Sequence, residues 1–178
     1  MTFAHDTAVA LTAAVALVNS AVEPDTLTRI IDLDAFFAEH DYTGSHARDR
    51  AELDEVRALR GPLRALLTSE RDAAVDQVNQ MLAEAHAIPR LVRHGGHDWH
   101  VHAVAQEAPL AQRILVETAM AMVDVIRADE LSRLAVCADP DCDGLVLDLS
   151  RNRSRKFCSV TCGNRNAVAA YRARQAAG

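Results

Sequence analysis

Apolar positions along most of this chain recur at intervals of three and four, the spacing that lines one side of an α-helix. Leu27, Ile30, Ile31, Leu33, Phe36 and Phe37 form one such stripe. It follows Pro24 and Asp25, with Asp25 placed as the cap, and Tyr42-Thr43-Gly44-Ser45 ends it. Arg48 to Leu67 carries a second stripe through Leu53, Val56, Leu59, Leu63, Leu66 and Leu67, which Gly61-Pro62 should kink or split. Ser69 to Ala87, with Ser69 as its cap, gives a third through Val75, Val78, Met81 and Leu82. Pro109 to Ile126 gives the longest, through Leu110, Ile114, Leu115, Ala119, Met122, Val123 and Ile126. The run Ala8 to Val22 is apolar with little interruption, and its pattern fits a buried helix or, around Val15 to Val18, a buried strand. Before the fourth stripe the period shortens. Ile88 to Arg93 and Asp98 to Val104 flank His94-Gly95-Gly96-His97, the signature of a β-hairpin.

Size and composition narrow the class. A chain of 178 residues accommodates one domain of ordinary size plus a small module. With 49% hydrophobic and 25% charged residues it should fold, and with only 4% aromatics its core must be built from Leu, Val, Ile and Ala. No apolar stretch reaches the roughly 20 residues needed to cross a bilayer. Asp6 stands where a secretion signal would carry positive charge, so the cytoplasm is the expected location. The net charge of −6 argues against a general nucleic-acid binder, but the charge is unevenly spread. Residues 137–178 hold seven basic and four acidic groups, a net +3, which leaves −9 on the rest.

All four cysteines lie in that basic segment, as Cys137-x4-Cys142, then fifteen residues, then Cys158-x3-Cys162. In a reducing compartment two close pairs favour a metal over two disulfides, reactive thiols or an iron-sulfur cluster. Zinc takes four thiolates in a tetrahedron, and two short loops facing each other supply it. Four protein ligands leave no open position, so one structural Zn2+ is expected rather than a hydrolytic one. Pro140 and its flanking Asp residues suit the first loop; Leu145 to Leu149 and Arg155 to Phe157 are strand candidates joined by Ser150 to Ser154; Asn166 to Gln175 is an Ala-rich helix. The layout is treble-clef-like, with the last thiolate near a helix start.

The segment Asp148-Leu-Ser-Arg-Asn-Arg-Ser-Arg-Lys-Phe-Cys158-Ser-Val-Thr-Cys162-Gly163-Asn164-Arg165 closely resembles the CGNR zinc-finger family, named for the motif standing here at 162–165. Phe157 occupies a position where Trp is expected in that family. Leu17-Val18-Asn19-Ser20 and Arg57-Ala-Leu-Arg60 look like the ABATE domain that commonly precedes the finger. The resemblance implies a bacterial, stress-linked transcription regulator. The expected architecture is α+β and mainly helical: an α/β ABATE-like domain over residues 1–130 with one β-hairpin, then the zinc finger over 131–178. The first part would sense a small molecule or mediate association with a protein partner or a second copy.

Arg151, Arg153, Arg155, Lys156, Arg165, Arg172 and Arg174 are the candidate DNA contacts, because phosphates are met by clustered Arg and Lys. The same residues would also neutralise a four-thiolate zinc, whose local charge is about −2, or dock the finger onto the acidic body. Gly163 and Asn164 are read as structural support of the finger. The competing class is a zinc-stabilised protein-interaction module. His94, His97, His100 and His102, with Trp99 among them, are read as solvated hairpin histidines rather than a second metal site. No catalytic motif is present, and an enzyme is not expected.

Overall fold

The computed structural model describes residues 3–93 and 99–176. Its elements run α1 (His5–Asn19), α2 (Ile30–Glu39), α3 (Arg50–Ala58), α4 (Arg60–Leu67), α5 (Arg71–Glu84), β1 (Arg90–Val92), β2 (His100–His102), α6 (Leu110–Arg127), a 3-10 turn at Leu131–Arg133, β3 (Leu134–Val136), β4 (Leu145–Leu147) and α7 (Val160–Ala176). The chain is mainly helical, with two small antiparallel two-stranded sheets, β1-β2 and β3-β4. Among the described residues no helix is long and apolar enough to cross a membrane.

The ambiguous first run is the helix α1. Its alanines favour helix, and it shows no clear polar side because most of it is buried: Leu11, Ala14 and Leu17 are completely covered. It packs chiefly on α6, whose Leu110, Ile114, Ala119 and Met122 are equally inaccessible. Alanines on both helices permit close approach, and the Thr7 hydroxyl ties them by donating to Asp124 Oδ2 at 2.6 Å. Helix α5 covers α6, and α4 covers α1. Buried Leu53, Val56, Leu63, Leu66 and Leu67 of α3 and α4 complete the core.

Two predicted caps are corrected. Helix α2 starts at Ile30, not after Asp25, because Asp25 has other partners: Arg60 grips it with two hydrogen bonds of 2.8 and 2.9 Å, Arg57 adds one of 3.0 Å, and the Leu27 amide donates to it. Asp32 instead closes the α2 terminus by accepting from the Arg29 amide at 2.9 Å. Ser69 likewise lies outside α5; its hydroxyl donates to the Ala65 carbonyl and accepts from Gln77. The expected break at Gly61-Pro62 is a split between α3 and α4 at Leu59. Pro62 then sits in the first turn of α4, where a missing N–H leaves no hydrogen bond unmade.

The predicted hairpin forms with Arg90 opposite His102 and Val92 opposite His100; its Gly95-Gly96 turn lies outside the described residues. In the C-terminal module the strands are paired differently from expectation. Residues 155–157 are not a strand, and β4 pairs instead with β3, which precedes the first cysteine. Arg153 adopts a left-handed conformation (φ 48°) and Asp148 captures the Arg155 amide at 2.7 Å. The chain then crosses to the first cysteine loop, where the Lys156 carbonyl accepts from Ala138 at 2.9 Å. A ladder with β4 is thereby excluded.

Candidate metal centre

Each cysteine is delivered by a different local device. Cys137 follows β3 directly, its amide donating to the Gly144 carbonyl at 2.7 Å and closing the first loop. Within that loop the Cys142 amide donates to Asp139 O, and Asp139 Oδ1 accepts from the Asp141 amide. Cys158 sits in the return loop, and Cys162 is the third residue of α7, where the helix dipole favours a thiolate. The predicted last helix thus begins earlier than Asn166, and this places the final thiol on its first turn.

The four Sγ atoms lie within 4.8 Å of one another. Bonds of about 2.3 Å in a tetrahedron put sulfurs about 3.8 Å apart. Here Cys158 Sγ lies 3.8 Å from Cys162 Sγ and 3.5 Å from Cys142 Sγ. Unneutralised, such crowding opposes ionisation. Burial, reinforced by the neighbouring thiols, pushes the Cys158 thiol up, while the Ser159 hydroxyl helps hold Cys162 down. A divalent cation removes that opposition, and the soft donor set fits zinc. The finger carries one structural zinc site.

Donors surround the sulfurs. Backbone amides of Gly144 and Cys158 each point at a sulfur, Cys142 and Cys137 respectively, at 3.4 Å. The Arg165 Nη2 lies 3.7 Å from Cys162 Sγ and 2.6 Å from Asp139 Oδ2. Such contacts spread the charge of a thiolate-bound metal. Burial alone would raise the Asp139 carboxyl, but the Asp141 amide and Arg165 outweigh it and leave it below the ordinary range. Gly144 was not singled out by sequence. A Cβ there would lie 2.8 Å from Cys158 Sγ and 3.3 Å from Cys142 Sγ, inside the thiol cluster.

The seven basic candidates separate into two sets. Arg153 pairs with Glu130 at 2.7 Å and reaches Ser132, Arg155 folds back onto the carbonyls of Phe157 and Cys158, and Arg165 is engaged as above. Arg151, Lys156, Arg172 and Arg174 are exposed and make no such contact among the described residues. Gly163 lies beside Phe157, its amide donating to Ser159 O, while Asn164 is exposed; it is Asn166 whose side chain caps the Cys162 carbonyl at 2.9 Å.

Unforeseen residues fasten this module to the helical body. The Asn19 amide, at the end of α1, donates to the Leu145 carbonyl at 2.9 Å and accepts from the Leu145 amide at 2.6 Å, as a neighbouring strand would. Arg64 of α4 donates to the Asp143 carbonyl at 2.5 Å. Buried Arg133 binds Glu130 at 2.9 Å and the carbonyls of Asp148 and Ser150 at 2.8 and 3.0 Å. The motif Leu17-Val18-Asn19-Ser20 therefore serves two purposes, since Ser20 Oγ accepts from Arg60, which in turn clamps Asp25.

The histidines divide as well. His94 and His97 lie outside the described residues. His100 and His102 are half-buried rather than solvated, and His102 Nδ1 faces Glu117 of α6 at 3.6 Å. Burial pushes the Glu117 carboxyl up to about 7, partly offset by Arg113 and His100.

No match was found among curated proteins. Two family models do match. The model described as "CGNR zinc finger" matches residues 133–175, the stretch that holds the thiol cluster, β3, β4 and α7. The second covers the helices and hairpin that precede it. Its match, over residues 11–129, includes the Asn19 clamp and the Arg57–Arg60–Asp25 cluster and spans well over half the chain, which therefore belongs to the ABATE family, described as "Putative stress-induced transcription regulator".

Proposed function

We infer that this protein is a DNA-binding transcription regulator, cytoplasmic and without enzymatic activity, whose zinc finger presents α7 to the duplex. One observation carries the reading: from Ala167 to Ala176 every residue of α7 is exposed. A helix of this length is marginal in water without a packing surface, and a protruding helix with Arg172 and Arg174 fits the width of a major groove. Arg151 and Lys156 lie in the return loop and supply further phosphate contacts. Arg153, Arg155 and Arg165 act as braces that fix the geometry of the finger. Zinc-loaded protein should retain fragments from a mixed genomic pool, with retention falling steeply as salt rises. Arg172→Gln with Arg174→Gln should weaken binding to all sequences and flatten the salt slope by about two. Unaltered binding by this variant would move the contact surface elsewhere.

The competing reading has its own observation. Val160, Val168 and Tyr171 of α7 are 79%, 47% and 57% exposed, which favours a protein partner along the same helix. Absence of binding to any DNA at low salt would select it. For the N-terminal part, exposed Leu91 and Val101 on the outer hairpin face, with exposed Ile88 just before β1, support association, including self-association. The open cleft lined by Thr12, Val15, Ala16, Asp148 and Arg155, between α1 and the finger, supports occupation by a small ligand.

A further inference from the structure

Strand β2 is turned the opposite way from a strand laid on an apolar body. Its middle residue, Val101, is exposed, as is Leu91 directly across in β1, while His100 and His102 occupy the half-buried face. Slipping the pleat by one residue would bury Val101 and release both imidazoles to water. The observed arrangement keeps two titratable rings together on the inner side at the expense of apolar burial.

The two rings meet edge to face, with centroids 4.9 Å apart and Nε2 atoms separated by 3.0 Å. Two imidazoles can converge so by sharing one proton. The same convergence is the spacing of adjacent ligands on one square-planar or octahedral cation: metal–nitrogen bonds of about 2.0–2.1 Å at roughly a right angle place donor atoms about 3 Å apart. Alternation along the strand, with side chains at i and i+2 on one face, is what brings both there. The other nitrogen of His102 faces Glu117 Oε1 at 3.6 Å. A metal on Nε2 would favour a proton on Nδ1, and a shortening of a few tenths of an ångström would let Glu117 accept it and orient the ring. Arg113, whose charge acts on Glu117, is already committed to the carbonyls of Thr43, Ser45 and Ala108, while Arg90 stands across the ladder from His102 with an exposed side chain free to swing into solvent.

We propose that His100 and His102 supply ligands to a second metal site, selective for a divalent cation of the nickel or copper type, with Glu117 as its positioning residue. Imidazole donors prefer that class over magnesium or calcium. Partly exposed and drawing two ligands from the described residues, the site would exchange its ion with solution more readily than the closed four-thiolate centre.

The test uses the full chain with its finger already loaded with one zinc, equilibrated against a fixed free concentration of Ni2+ and analysed for both metals. The expected result is one zinc and one nickel per chain. His100→Gln combined with His102→Gln should abolish nickel uptake and leave the zinc in place. Glu117→Gln should weaken nickel binding about tenfold or more while the zinc content stays the same. In the unaltered protein, Ni2+ should broaden the imidazole resonances of His100 and His102 before those of other histidines, a readout that does not depend on any variant folding. Failure of the wild type to take up nickel would overturn the proposal. So would retention of nickel by the double variant, which would place the ion on other side chains, or broadening that begins at other histidines.

Discussion

The helical body and the finger solve the same problem with different materials. In the body, completely buried Leu11, Leu17, Leu33, Leu53, Leu63, Leu66 and Ile114 supply the cohesion, and polar groups such as Asp25 and Arg60 pair at its margin. The finger's own cluster of buried residues is Cys137, Val146 and Cys162, with Cys142, Phe157 and Cys158 partly covered beside them. A cluster that small cannot offset the entropy of ordering some forty residues, so the metal must supply what apolar area does not. The lesson is that the two parts should respond to different insults.

The largest expected effect is removal of the ion. A strong chelator, or Cys162→Ser, should withdraw on the order of 10 kcal/mol from the finger. Zinc content should fall to zero and the remaining thiols should become reactive, while far-UV circular dichroism shows α1 to α6 retained. Loss of all helix on chelation would erase the distinction between the two parts. Gly144→Ala, by forcing a methyl group into the thiol cluster, should weaken zinc affinity without removing a ligand, measurable by competition with a chelator.

Next comes Leu63→Ala in α4, a completely buried site, which should cost about 2–5 kcal/mol of stability in thermal or urea unfolding. Zinc content in the folded state should stay at one per chain. Asn19→Ala removes both amide contacts to Leu145 and should cost about 1–3 kcal/mol, with weakened protection of the Leu145 amide against hydrogen exchange as the specific signature. If that protection is unchanged, the clamp does not join the two parts.

The smallest effect is set by pH. Hydrogen bonding from Arg60, with help from the Leu27 amide and Arg57, holds the Asp25 carboxyl at about 2, against an ordinary value near 3.9. The folded-state value is depressed, so the stabilisation is complete above about pH 4 and is lost as pH falls towards 2. Asp25→Asn should remove that part of the acid sensitivity. An identical acid profile in the variant would assign the sensitivity to other carboxylates.

Much of this was legible in the sequence for identifiable reasons. Stripes of Leu at helical spacing report burial on one side, and the Gly61-Pro62 pair reports a break because proline lacks a donor; both needed only local information. The four cysteines announced their metal through spacing alone. What escaped was non-local. Asn19 and Leu145 are 126 positions apart, and nothing around either says that a side-chain amide will pair with a strand. The pairing of β3 with β4, in place of 145–149 with 155–157, turns on the capture of the Arg155 amide by Asp148 and the left-handed Arg153. Composition suggested seven equivalent cations in the finger, yet Arg153, Arg155 and Arg165 already have partners. Alternation puts the histidines of β2 on one face but does not say that this face turns inward.

Strand β4 adds a consequence for how such molecules change over evolutionary time. Its outer residues, Leu145 and Leu147, belong to the core of the body, whereas Val146 between them belongs to the thiol cluster. Three consecutive residues thus form a wall common to two rooms. A gene rearrangement that moved residues 133–176 onto an unrelated protein would carry two uncovered leucines and a strand edge lacking its amide partner. The finger is therefore poorly suited to shuffling as a free cassette, and its descent should be tied to hosts that keep an α1-like helix ending in asparagine.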